Sequence, residues 1–212
     1  MKRAVLLAAA AATALSLTAC NKRTAEGNTA AANTTAANTA AAPGQTGPVN
    51  AAQDAMGAAV GATSAATVGA HDTGAFVENA VQGNMYEIEA GKIAQQKATS
   101  PDVKAFAKTM VTDHTAMLNE LKPVITKAGQ TAPTQLDQRR NGLLDNLRAA
   151  GKDFDKTYLD QQVAAHQETL TLLKGYADNG DNPDLKAAAA KAVPKVQAHL
   201  DKAKALQAKA GA

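Results

Sequence analysis

From about Asp72 to Ala212 the large apolar residues recur every three or four positions, and no stretch alternates apolar with polar as a half-buried strand would. A chain patterned this way buries its apolar stripes by packing helix on helix. The first helix is expected from about Thr73 to Ala98, with Val77, Val81, Met85, Glu89 and Ile93 on one stripe. Ser100-Pro101-Asp102 supplies an N-cap, a proline at the first helical position and an acid in the first turn, and so announces a second helix, which stops at Gly129. Its stripe is Phe106, Met110, His114, Met117, Leu121 and Val124. The third begins near Asp153 and carries Phe154, Tyr158, Val163, His166, Leu170, Leu173 and Ala177 inward. The fourth opens at Asn182-Pro183-Asp184, the same kind of signal, with Leu185, Ala189, Ala192, Val196, His199, Ala203 and Leu206 on its stripe. Pro123 and Pro194 fall inside two of these helices, where each should bend the helix or free a carbonyl one turn earlier.

The segment from Pro101 to Lys108 parallels that from Pro183 to Lys191, which suggests two helical hairpins of related plan. Between them lies Gln130 to Lys152, with a short helix expected from about Thr134 to Ala150. That is longer than antiparallel neighbours need and is what a crossover along the whole bundle requires. The expected architecture is all-α: four helices over residues 72–212, as two antiparallel hairpins joined by a long crossover.

The N-terminal third reads differently. Lys2 and Arg3 followed by the apolar run Ala4 to Leu17 look like an export signal over residues 1–19, too short to span a bilayer comfortably. Leu17-Thr18-Ala19-Cys20 resembles the lipobox of bacterial lipoproteins, which implies that Cys20 is acylated and anchors the chain to a membrane. By the same resemblance, Asn21 after the cysteine favours the outer membrane, with the folded part in the periplasm. Cys20 is the chain's one cysteine, so no intramolecular disulfide can form. Residues 20–71 are rich in Ala, Asn, Thr and Gly and poor in large apolar side chains, the composition of a disordered tether with a reach on the order of 40 Å. Ala51 to Val68 is Ala-rich, with Met56 and Val60 four apart, but Gly57 and Gly61 weigh against a stable helix there.

Once Lys2 and Arg3 leave with the signal, the 22 basic side chains fall to 20 against 19 acidic ones. A near-neutral chain with three Phe, three Tyr and no Trp offers neither a basic surface nor a stacking platform, so nucleic-acid binding is not expected. The lysines from Lys186 to Lys209 read as a solvated helix face, and Tyr86, Tyr158 and Tyr176 as packing residues. No Ser/His/Asp order, phosphate loop or paired-acid motif appears.

Chemistry, if the chain has any, lies in the stripes. Three of the four histidines, His114, His166 and His199, fall on the apolar stripes of three helices, and Glu89 falls on that of the first. Glu89 lies 12 residues before Pro101 and His114 lies 13 after it, while His166 lies 17 before Pro183 and His199 lies 16 after. If the crossover points the two hairpin turns at opposite ends, helices of about 28 residues bring both levels within roughly 3 Å of each other. All four side chains then converge near mid-bundle.

At this point the residues carry a family resemblance. Phe76 to Lys92, Val111-Thr112-Asp113-His114, His166, and Pro194 to Leu200 resemble a bacterial exported domain-of-unknown-function family often labelled outer-membrane protein. The resemblance covers about Ala75 to Leu206 and implies a ferritin-like four-helix fold with no established activity. Valine stands three residues before each histidine, at Val111, Val163 and Val196, so the Glu-x-x-His pairs of di-iron proteins are missing. One carboxylate and three imidazoles could instead hold a single Zn, Fe, Mn or Cu ion, with Asp113 and Glu168 as carboxylates that orient the ligating rings. The same four residues could equally form a metal-free, hydrogen-bonded polar core. The expected function is that of an outer-membrane-anchored binding or structural module, with a mononuclear metal protein of redox or hydrolytic activity as the alternative. An envelope protein partner or self-association is open to it.

Overall fold

The computed structural model describes residues 47–210. The expected signal, Cys20 and the tether up to residue 46 lie outside the described residues. The described elements are α1 (Gly47–Ala66), a 3-10 turn (Val68–Ala70), α2 (Thr73–Lys97), α3 (Pro101–Lys127), α4 (Gln138–Ala149), a second 3-10 turn (Gly151–Asp153), α5 (Phe154–Asn179) and α6 (Pro183–Ala210). No strand occurs among the described residues, and none of their helices is long and apolar enough to cross a membrane.

Local signals set the boundaries. Asp72 caps α2 by accepting from Ala75 N, Ser100 caps α3 and Asp137 caps α4, each through its side chain. Asn182 Oδ1 accepts from the backbone N–H groups of Asp184 and Leu185 at 3.1 Å and starts α6 in the same way. Pro123 and Pro194 both lie inside helices that continue past them.

The four long helices form two hairpins, α2/α3 and α5/α6, whose turns lie at opposite ends. At one end the α2–α3 turn is held by Asp155 in the first turn of α5, which accepts from Thr99 N, Thr99 Oγ1 and Ser100 N at 2.6–3.2 Å. At the other, Thr73 at the start of α2 meets Tyr176 Oη at 2.6 Å and donates to Asp181, both beside the α5–α6 turn. The connection from α3 to α5 therefore runs the length of the bundle, with α4 as its helical part. This is the ferritin-like four-helix plan. Gly91 lets α2 and α3 approach closely, because a Cβ there would lie 2.8 Å from Val111 Cγ2 and 3.0 Å from the Ala107 carbonyl.

One element departs from expectation. The segment 20–71, read as a disordered tether, contains α1 from residue 47 onward. Alanine favours the helix, and packing on α4 and α5 supplies what propensity alone does not. Asp54 accepts from Asn146 Nδ2 and Gln161 Nε2, both at 2.6 Å, and Arg139 Nη1 donates to the Gly57 carbonyl at 3.1 Å. A Cβ at Gly61 would come within 1.9 Å of Glu168 Oε2, so glycine there is what allows α1 to close on the Arg139–Glu168 pair. Of the two glycines that weigh against an isolated helix, Gly61 is the one this packed helix uses.

Candidate metal centre

The interior is two apolar clusters separated by a polar layer. One is built around Met110, Phe106, Phe154, Tyr158 and Leu159, the other around Phe76, Val81, Leu173, Tyr176 and Leu185. His114 on α3 follows Met110 by one turn, His166 on α5 precedes Leu170 by one turn, and His199 on α6 lies between Val196 and Ala203. Each histidine thus occupies an apolar-stripe position at the level where the clusters meet, and all three are buried, at 2, 1 and 5 % exposure.

Their rings form a triangle with centroids 5.3–5.5 Å apart. One ring nitrogen from each lies within 4.8 Å of the other two. One nitrogen of each ring is fixed by the protein. His114 Nδ1 lies 3.0 Å from Asn84 Oδ1, His166 Nδ1 lies 2.8 Å from the Gln162 carbonyl and His199 Nε2 lies 2.8 Å from Asp113 Oδ2. All three partners are oxygen acceptors when Asn84 is placed as here, so each ring donates there and carries its lone pair on the other nitrogen. Those other nitrogens, His114 Nε2, His166 Nε2 and His199 Nδ1, are buried and have no hydrogen-bond partner among the described residues.

Electrostatics keep the rings neutral. Burial pushes His166 down to about 4, against the Gln162 carbonyl and with help from His199. Burial likewise holds His114 well below the ordinary histidine range, with His166 and His199 adding to the effect. Burial also lowers His199, with the Asp113 carboxylate opposing. Asp113 is lowered, because hydrogen bonds from Lys195 and His199 outweigh its own desolvation. Three neutral imidazoles with oriented lone pairs are what a transition-metal ion coordinates.

Beside this trio stands a carboxyl that the sequence reading passed over. Glu87 Oε1 lies 3.6 Å from His166 Nδ1, and Glu87 Oε2 accepts from Gln162 Nε2 at 2.6 Å. Burial raises Glu87 to about 8, so it is a neutral acid at neutral pH. It faces the donating side of the His166 ring.

The expected residues are distributed as follows. His114, His166 and His199 come together. Glu89 does not join them: it is half exposed and bonds Lys92 Nζ at 2.7 Å on the surface. Repeated steps of four overrun a 3.6-residue helix, so Glu89 stands about 120° around from Val77, while Glu87 stays close to the inward direction. Asp113 is against His199, as described. Glu168 touches none of the histidines: it takes Arg139 at 2.7 and 3.0 Å and Arg140 at 3.1 Å, beneath α1. Asn84, Glu87 and Gln162 are the polar neighbours of the trio that were missed. The signal for the first two was the burial period of α2, with Ala80, Glu87, Gly91 and Ala94 three, four or seven apart.

The model of the domain of unknown function DUF4142 matches residues 58–206. No curated protein matches the chain. Two solved structures are similar to it in fold. CopM in the Cu(II)-bound form is 19% identical with a TM-score of 0.56, over 65% of this chain and 97% of that one. CopM in the Cu(I)-bound form is 21% identical with a TM-score of 0.52, over 62% of this chain and 91% of that one.

Proposed function

The chain belongs to the DUF4142 family, and we propose that in it His114, His166 and His199 hold a single copper ion, making the protein a metal-binding module. The observation that carries this reading is the trio of buried, unpartnered ring nitrogens, each on a ring whose far nitrogen is already fixed by an acceptor. A buried polar atom left unpaired costs about 1–3 kcal/mol, so three at one level favour an occupant that pairs with all of them. Three nitrogens bound to one ion at about 2 Å lie roughly 3.3–3.5 Å apart, so each edge of the triangle, now within 4.8 Å, has to contract by no more than about 1.5 Å.

Three imidazoles suit copper or zinc, and among divalent first-row ions copper binds nitrogen donors most tightly. The two fold neighbours are described as copper-bound, which favours copper further. A bound copper ion would supply one-electron redox chemistry. The chain's own part is to hold the rings neutral and oriented through Asn84, the Gln162 carbonyl and Asp113, and to bury them from water. We place this module on the outer membrane facing the periplasm, through an acyl group on Cys20, on the strength of the lipobox-like Leu17-Thr18-Ala19-Cys20.

The test is elemental mass spectrometry of the chain purified without chelator or polyhistidine tag, beside a His114→Ala/His166→Ala variant. About one copper per chain, absent from the variant, is the expected result. Zinc in its place would keep the site and change the ion. No metal in either protein, with the variant losing thermal stability, would return the trio to a hydrogen-bonded core.

A further inference from the structure

Among the described residues, the large apolar side chains that face solvent are Val49, Met56, Val60 and Val68, exposed by 43, 71, 62 and 58 %. All four lie in α1 or the turn that follows it. The inner side of α1 is accounted for by Asp54, Gly57, Gly61 and Ala65, which meet α4, α5 or the core. On the outer side, Val49, Ala52, Met56, Ala59, Thr63 and Ala66 follow one another in alternating steps of three and four residues, and every one of them is exposed. That spacing makes a seam for packing against another helix. The seam carries no charge, because the one charged residue of α1, Asp54, is turned to Asn146 and Gln161.

We infer that this seam is an interface with a second copy of the chain, in which two α1 helices pack antiparallel about a two-fold axis between Gly57 and Ala58. Such an axis sets Val49 opposite the second copy's Ala66, Ala52 opposite Thr63, Met56 opposite Ala59, and Val60 opposite Ala55. Every large side chain then meets a small one. A parallel pair would set Met56 on Met56 and Val60 on Val60, leaving the alanines facing each other across a gap.

Charge weighs against a charged partner and against a membrane surface. An uncharged face has no complement on a charged partner, and a membrane-surface helix carries Lys or Arg with Trp, Phe or Leu, none of which α1 has. A 20-residue helix is about 30 Å long, so two facing seams bury on the order of 600–900 Å², below the roughly 1,200–2,000 Å² of a stable interface. The dimer is therefore weak in dilute solution and grows where copies are confined to one surface.

Sedimentation velocity of the full chain carrying Cys20→Ser, over a concentration series, should read a reversible dimer. Met56→Lys should weaken it at least tenfold while leaving the melting temperature unchanged, since Met56 is on the surface. In the same Cys20→Ser background, Met56→Cys mixed with Ala59→Cys should form more disulfide-linked dimer on oxidation than either alone. A monomer at every concentration, a dimer indifferent to Met56→Lys, or strongest cross-linking of Met56→Cys with itself overturns the proposal. So does a monomer that binds phosphatidylcholine vesicles and releases them on Met56→Lys.

Discussion

His199 Nε2 donates to Asp113 Oδ2 at 2.8 Å, a bond that ties α6 to α3 at the level of the histidine layer. Lys195 Nζ holds the other oxygen of the same carboxylate at 2.9 Å. The carboxylate is thereby kept ionised and aimed, and it places the His199 proton on Nε2, which leaves the lone pair on buried Nδ1.

Removing this support should cost affinity rather than fold. Asp113→Ala is expected to weaken metal binding about 10–100-fold, the usual penalty for losing a group that orients a ligating imidazole. Asp113→Asn should lose less, because its amide oxygen can still accept from Nε2. Competition titration against a chelator measures both. Equal affinity in wild type and Asp113→Ala would mean that His199 needs no orienting carboxylate.

Glu87 and His166 give the metal-free protein opposing pH slopes. Glu87 stays protonated in the folded state up to about 8, whereas its ordinary value is 4.5, so the folded state holds the extra proton in between. Stability is therefore lost as pH rises through that window. His166 stays neutral down to about 4 against an ordinary 6.5, so the unfolded state binds the extra proton and stability is lost as pH falls from 6.5. Glu87→Gln removes the first slope, and its melting temperature relative to wild type should climb steadily from pH 5 to pH 8. A difference that is flat over that range would mean that Glu87 ionises normally inside the bundle.

The hairpins and the histidines were legible for a shared reason: each depended on signals local to one helix. Pro101 and Pro183 mark helix starts by their own chemistry, and counting from them set the depth of His114 and His199 closely enough to foresee that the three rings meet. Glu89 failed because a stripe followed in steps of four rotates away from the core by about 40° per step, which three steps make decisive. α1 failed for another reason. Its buried face is Asp54, Gly57, Gly61 and Ala65, with no large apolar residue to create a period, and its partners Arg139, Asn146, Gln161 and Glu168 lie some 80 to 110 positions away in the chain.

Gly61 should accordingly be the position on which the docking of α1 turns. A methyl group at residue 61 would overlap Glu168 Oε2 at 1.9 Å and Arg139 Nη1 at 2.6 Å, both members of a largely buried ion pair. Gly61→Ala would raise intrinsic helix propensity yet is expected to destabilise the packed helix by about 1–3 kcal/mol, as overpacking does. Amide exchange in α1 should quicken while α2, α3, α5 and α6 keep their protection. Unchanged exchange in α1 would mean that Glu168 and Arg139 can move aside without loss.

Glu87 and Glu89 are two residues apart, about 200° around the helix, and the pair separates burial from composition as the source of function. Glu89 shares a surface ion pair with Lys92 at 2.7 Å, with half of each side chain in solvent. Pairs of that kind contribute roughly 0–1 kcal/mol, so Glu89→Ala should leave both metal affinity and melting temperature near wild type. Glu87→Ala removes the acceptor of buried Gln162 Nε2 and opens a cavity beside His166, and should cost at least about 1–3 kcal/mol. Thermal unfolding and chelator competition on the two variants read the contrast directly. A Glu89→Ala variant that loses metal while Glu87→Ala retains it would mean that α2 is rotated from the phase described, because no single rotation of that helix places both carboxylates against the His166 ring.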